Sequence, residues 1–166
     1  LFEALPQLQE FGNKKVEAHA RYHVFCAYYF LADYNTALKY AHEMLRRAVH
    51  NEDLLSQANA YNAIGTICYS TNENKEAIDA LLNGLNIANT LDDKHLLSRI
   101  LDGIGTTYFN LNEIDKSIEF KKKALEVSKS IGLKQVESYA IDGLAKIYLA
   151  ANDLSNAEKH LHECLA

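Results

Sequence analysis

His19, His23 and Cys26 stand at i, i+4 and i+7. On a helix this spacing brings two imidazoles and a thiol to one face, and both are proper ligands for Zn²⁺. A structural zinc wants a fourth ligand, and none is evident, so the three are read as ordinary residues of a groove. In His160-x-His162-x-Cys164 only the outer pair shares a face, and this too is read as no metal site. Gly103-Ile104-Gly105 resembles a phosphate loop, but the apolar period around it is helical. A phosphate loop needs a strand before it and a helix after it. Lys121-Lys122-Lys123 could hold a phosphate; flanked by Glu119, Glu126 and Lys129, it reads as a solvated helix face. No nucleophile, base and orienting acid can be assembled. The segment is therefore expected to be no enzyme and to carry no cofactor, with any catalysis left to an attached domain.

Composition frames these side chains. Of 166 residues, 48% are hydrophobic, enough to bury a core. One proline and seven glycines argue against a many-turned β fold. The formal charge of −5 makes nucleic acid a poor partner. No apolar run approaches the roughly 18 to 20 residues that span a bilayer, so no membrane partner is expected. Cys26, Cys68 and Cys164 are too few and scattered for a disulfide framework, which points to a reducing, cytoplasmic setting. The start, Leu1-Phe2-Glu3-Ala4-Leu5-Pro6, has no signal-peptide pattern and no initiator Met, and a piece of a longer protein is expected.

The organising feature is a repeat. Ala37-Leu38, Ala77-Ile78, Ser117-Ile118 and Ala157-Glu158 recur with a forty-residue period. So do Met44-Leu45, Gly84-Leu85, Ala124-Leu125 and Cys164-Leu165; Ala32-Asp33, Asn72-Glu73, Asn112-Glu113 and Asn152-Asp153; and Gly12, Glu52, Asp92 and Gly132. The expectation is one domain over 1–166. Residues 1–11 would be the remnant of a preceding second helix, and four units would follow at about 15–52, 53–92, 93–132 and 133–166. Apolar periodicity predicts helices over 15–31, 35–49, 55–70, 75–89, 95–110, 115–129, 135–150 and 155–165. Asp115 and Ser155 are expected as helix starts, Ser155 with Glu158 as a capping box. Ile131-Gly132 suits a helix exit.

Gly65, Gly105 and Ala145 mark close contacts on the first helix of a unit, and Ala37, Ala77, Ser117 and Ala157 on the second. Phe25 breaks this rule in unit one. Gly103 and Gly143 are expected to face no close neighbour.

The units resemble tetratricopeptide repeats. The resemblance lies in Ile64-Gly65…Tyr69…Asn72-Glu73…Ala77…Leu81…Gly84, in Ile104-Gly105…Tyr108…Asn112-Glu113…Ser117…Ala124, and in Leu144-Ala145…Tyr148…Asn152-Asp153…Ala157…Leu161…Cys164. Arg21, Tyr61, Leu101 and Ile141 stand where the family often has Trp. The family's Pro after the second helix is missing. An extension such as Ala88-Asn89-Thr90-Leu91-Asp92-Asp93 lengthens the common unit of about 34 residues to 40. The 40-residue variety is similar to repeat arrays of bacterial regulators and sensory front ends, the setting preferred here, and also to the long units of eukaryotic spindle-orientation scaffolds.

The resemblance implies an all-α, right-handed superhelical solenoid of antiparallel helix pairs whose first helices line a concave groove. The groove residues are then Tyr22, Tyr29, Asn62, Tyr69, Arg99, Asp102, Phe109, Tyr139, Asp142 and Lys146. Asp102 and Asp142 suit a protein or peptide partner with basic side chains, and the aromatic column of Tyr29, Tyr69 and Phe109 suits apolar ones. Asn62 can hold a peptide backbone through its donor and acceptor. Two cations set among acids disfavour a clamp for a terminal carboxylate. The expected function is a protein-binding sensory or scaffolding module, the alternative a spacer or self-association segment. Phe2, Leu5, Leu8 and Phe11 at one end, and Leu161 and Leu165 at the other, are expected to drive weak self-association.

Overall fold

The computed structural model describes residues 14–165, with the side chains of 16–162. The described part is a run of eight helices with no strand: α1 (Lys14–Phe30), α2 (Tyr34–His50), α3 (Leu54–Ser70), α4 (Asn74–Leu91), α5 (Lys94–Asn110), α6 (Ile114–Ile131), α7 (Lys134–Ala150) and α8 (Leu154–Leu165). The expected helix over residues 1–11 lies outside the described residues.

Each of the first seven helices is followed by one residue in the left-handed region. Ala32, Glu52, Asn72, Asp92, Asn112, Gly132 and Asn152 have φ between 51° and 68°. Their spacing is uniform, two to each repeat unit. After each, the next N–H reaches back five residues to a carbonyl: Asp33 to Tyr28 at 3.0 Å, Glu73 to Cys68 at 2.7 Å, Asp153 to Tyr148 at 2.8 Å. This is the Schellman closure. The donor residue is also the N-cap of the following helix, so one residue closes one helix and opens the next. Asp33, Asp53, Asp93 and Asp153 accept from the backbone N–H three residues on. Glu73, Glu113 and Leu133 make no such bond.

Two expectations are corrected here. Helix α6 begins at Ile114 behind Glu113, so Asp115 lies inside it. Asp153, and not Ser155, caps α8; Ser155 is already helical and forms no capping box. Residue type favours Ser at a helix start, but the turn before it fixes the cap two residues earlier. The extension after the second helix also proves mostly helical, since α4 runs through Leu91.

Short turns make neighbours antiparallel, and every helix packs on the next. Beyond that, α3 touches α5 and α5 touches α7, so first helices line one side. The pairs close on small residues: Ala37, Ala77, Ser117 and Ala157 are buried, and Ser117 Oγ donates to the Gly105 carbonyl at 2.6 Å. Rings clasp the two helices of a unit at their turn end, Tyr28 on Tyr40, Tyr108 on Phe120 and Tyr148 on His160. In unit two the same positions hold buried Cys68 and Ala80. Phe25, at the position of Gly65, is buried beside Tyr22 and Tyr29, and an aromatic cluster replaces the close contact.

A side chain at positive φ costs roughly 1–2 kcal/mol where Gly costs little. Ala32→Gly is therefore expected to stabilise the protein by about 0.5–1 kcal/mol and Gly132→Ala to destabilise it by about 1 kcal/mol. Urea unfolding of the two variants against the parent checks both signs.

Candidate peptide-binding groove

A hollow of about 330 Å³ lies between α3, α5 and α7 on the side lined by the first helices. Its floor is built by a lysine that the sequence reading placed on the outer surface. Lys121 is 4% exposed. It occupies the register position of Leu81 and Leu161, on the inward face of α6. Its stem passes between two glycines: a Cβ on Gly105 would stand 2.8 Å from Lys121 Cγ, and one on Gly143 2.7 Å from Cε. Gly143 thus lies close to the far end of the Lys121 side chain, contrary to expectation, whereas Gly105 also meets the Lys121 backbone N at 3.1 Å. At Gly103 a methyl would meet only ordinary contact with Leu81, at 3.5 Å, as expected. Lys122 and Lys123 are exposed, so the basic run is split between core and solvent.

The Lys121 ammonium emerges at Asp102, donating to Oδ1 at 2.6 Å. Burial pushes the Asp102 carboxyl above its ordinary range, the Lys121 ammonium opposes this, and the charge of Asp142 adds to it. The pair therefore does not fully repay the burial of the carboxylate, as expected for buried ion pairs. One turn along the wall of α7, Lys146 Nζ donates to Asp142 Oδ2 at 2.6 Å, and that bond holds the Lys146 ammonium above its ordinary range. Tyr69, Phe109 and Tyr139 add aromatic walls. Tyr139 is 56% exposed, its hydroxyl accepting from Gln135 Nε2 at 3.2 Å.

The structure thus brings Tyr69, Asp102, Phe109, Tyr139, Asp142 and Lys146 to one hollow. The other predicted residues lie elsewhere. Arg99 Nη2 donates to the Tyr22 hydroxyl at 3.2 Å, joining α5 to α1 across α3. Asn62, in the register column of Tyr22 and Asp102, is buried and cannot meet a ligand as an open amide, which corrects its exposed placement. Tyr29 bonds Ser70 of α3 at 3.2 Å and so serves the contact between first helices. Lys121 was missed. Its register column beside Gly105 and Gly143 was the signal, outweighed by the look of a lysine run.

Residues 98–131 match the family model of the tetratricopeptide repeat, and the helix pairs on both sides repeat its turns and close contacts. The chain is an all-α solenoid of helix pairs that carries a tetratricopeptide repeat at 98–131. No curated protein matches it significantly. Among solved structures, the solenoid superposes on aspartyl phosphate phosphatase F from Bacillus subtilis with a TM-score of 0.83 at 15% identity, over 90% of this chain and 39% of that one. A Rap protein complexed with competence and sporulation factor gives 0.85 at 16%, over 92% and 43%. A signal-transduction ATPase with a tetratricopeptide-repeat sensor, from Pyrococcus horikoshii, gives 0.81 at 19%, over 98% and 25%. The chain spans less than half the length of these three proteins. Among its described residues no helix is long and apolar enough to cross a membrane, and no group of His, Cys, Asp and Glu is placed to hold a metal.

Breaking a buried ion pair from one side strands the other charge at a cost of about 3–5 kcal/mol, whereas an apolar replacement of both is often neutral. Asp102→Ala is expected to lose about 3 kcal/mol. Lys121→Leu with Asp102→Asn, which restores the Leu81 arrangement, should regain the parent stability or exceed it. Urea midpoints of the single and double variants decide this.

Proposed function

We propose that this solenoid is a protein- or peptide-binding module, the sensory or scaffolding part of a signalling or regulatory protein. The observation that carries the reading is the hollow in which three aromatic side chains surround Asp102 and Asp142. Such a site offers apolar contact and hydrogen-bond acceptors together. The fitting partner is an extended segment with a basic side chain beside apolar ones. The regulatory setting draws support from the similar solved structures, one a complex with competence and sporulation factor and one a repeat sensor in a signal-transduction ATPase. The role assigned is recognition without catalysis, in a cytoplasmic setting.

Peptides selected from a random library on the immobilised protein should carry Lys or Arg flanked by apolar residues. Their affinity by calorimetry should fall about tenfold with Asp142→Asn and with Tyr139→Ala, the helical spectrum being unchanged. Binders indifferent to both substitutions, or no binders at all, sink the groove reading.

A spacer or self-association role is the second reading, and exposed apolar side chains favour it. Phe30 is 83% and Leu31 75% exposed at the end of α1; on α8, Leu154 is 63% and Leu161 44% exposed. The other end residues expected to associate lie outside the described side chains. Sedimentation at rising concentration should show a weak dimer that Leu154→Ser with Leu161→Ser abolishes; a protein monomeric throughout removes this reading.

A further inference from the structure

The hollow between α3, α5 and α7 holds two carboxylates, and each is half used. Asp102 accepts from Lys121 Nζ through Oδ1 at 2.6 Å, and Asp142 accepts from Lys146 Nζ through Oδ2 at 2.6 Å. Among the described residues no donor reaches Asp102 Oδ2 or Asp142 Oδ1. Neither oxygen is sealed off, since the side-chain atom that is buried without a partner among the described residues is Asn74 Oδ1.

The two pairs are held with different firmness. The side chains of Lys121 and Asp102 are 5% and 17% exposed, those of Lys146 and Asp142 66% and 48%. An exposed pair within one helix is weak and gives way to a better partner. The Lys121 stem instead runs past Gly105 and Gly143, with Cγ at the first and Cε at the second, and this fixes its ammonium on Asp102 Oδ1.

Cationic side chains differ in what they need from such a carboxylate. A guanidinium draws its advantage from a fork, two parallel N–H donors on both oxygens of one carboxylate. With Oδ1 taken by Lys121, Asp102 cannot receive the fork. An ammonium is a compact charge whose three donors turn freely at the end of a flexible stem. It needs only single oxygens, and Asp102 Oδ2 and Asp142 Oδ1 offer them on one hollow. The rings of Tyr69, Phe109 and Tyr139 suit the apolar stem behind it. The four charges already present sum to zero, yet a further cation is favoured at Asp102. Burial and the charge of Asp142 both weigh against the Asp102 carboxylate, and Lys121 does not offset them.

We infer that the hollow selects a lysine side chain over an arginine, with Lys121 as the positioning residue that denies Asp102 to a guanidinium fork. The inference rests on the groove reading above and narrows its partner from a basic segment to a lysine-bearing one.

Two peptide libraries test it, alike in their apolar flanking residues and differing in a central Lys or a central Arg. Binders from each are measured by calorimetry beside their counterparts with Lys and Arg exchanged. The Lys form should bind the parent protein about tenfold more tightly than the Arg form. Lys121→Leu opens the second oxygen of Asp102 and should bring that ratio to one or below. Lys146→Met opens the second oxygen of Asp142 at an exposed position and should narrow the ratio about threefold. Arg forms that bind the parent as tightly as Lys forms, or more tightly, overturn the inference and leave the groove reading standing. A ratio that neither substitution moves overturns it as well. Should Lys121→Leu not fold, the parent ratio and Lys146→Met decide. No binder from either library removes the groove reading and this inference with it.

Discussion

A single backbone hydrogen bond, from the residue after a left-handed position to the carbonyl five residues earlier, recurs at every turn of this solenoid. It stops one helix, and the residue that donates it supplies the first acceptor of the next. The chain reverses within three residues each time, so adjacent helices have no choice but to run antiparallel in contact. Small residues then set how close the pairs come, and the near approach of first helices to one another gathers their faces into a groove. Remove the left-handed residue and the helix continues for another turn, carrying the inward face out of register with its partner.

The packing between turns is uniform, and the departures from uniformity are where charge enters. At the position where unit two places Leu81, unit three places Lys121. The helix crossings stay open there because Gly105 and Gly143 leave room for a straight stem. The ammonium is delivered to Asp102 at the groove floor, so a residue of an outer helix sets the electrostatics of the inner surface. Unit one makes a comparable exchange beside a cavity of about 250 Å³: Glu17 accepts from Arg21 and Arg47 at the positions where unit three packs Leu97, Leu101 and Val127. Both exchanges cost desolvation that an aliphatic side chain would avoid, and both lie beside a hollow.

Much of the fold is legible in the sequence because four columns at one period locate helices, turns and close contacts together. Even the left-handed residues stood in two of those columns. What could not be read was that both columns describe the same turn. Ala32, Glu52 and Asp92 carry no glycine signal, and the two halves of a unit differ in sequence, so the half-unit spacing of the turns is hidden. The groove is legible in part. Tyr69, Asp102, Phe109, Tyr139, Asp142 and Lys146, which line one hollow, follow from helical phase once the resemblance assigns the first helices to the inner side. Asn62 failed because phase tells which way a side chain leaves the helix and not what lies across it; the bond of Arg99 to a residue 77 positions away, passing over α3, is hidden for the same reason. Lys121 failed for the opposite reason, since its neighbours in sequence outweighed its place in the column.

The equal spacing of the turns also governs how such a chain can change length. Duplicating one whole unit inserts a helix pair whose cap, closing turn and contact residues meet surfaces already present, so the added pair is packed from the outset. Duplicating half a unit keeps every turn intact but seats a second helix where a first belongs and offers the groove an outer face. Array length is thereby free to drift in whole pairs. Recognition chemistry, carried by single residues such as Lys121 or Tyr139, travels with the pair that bears it.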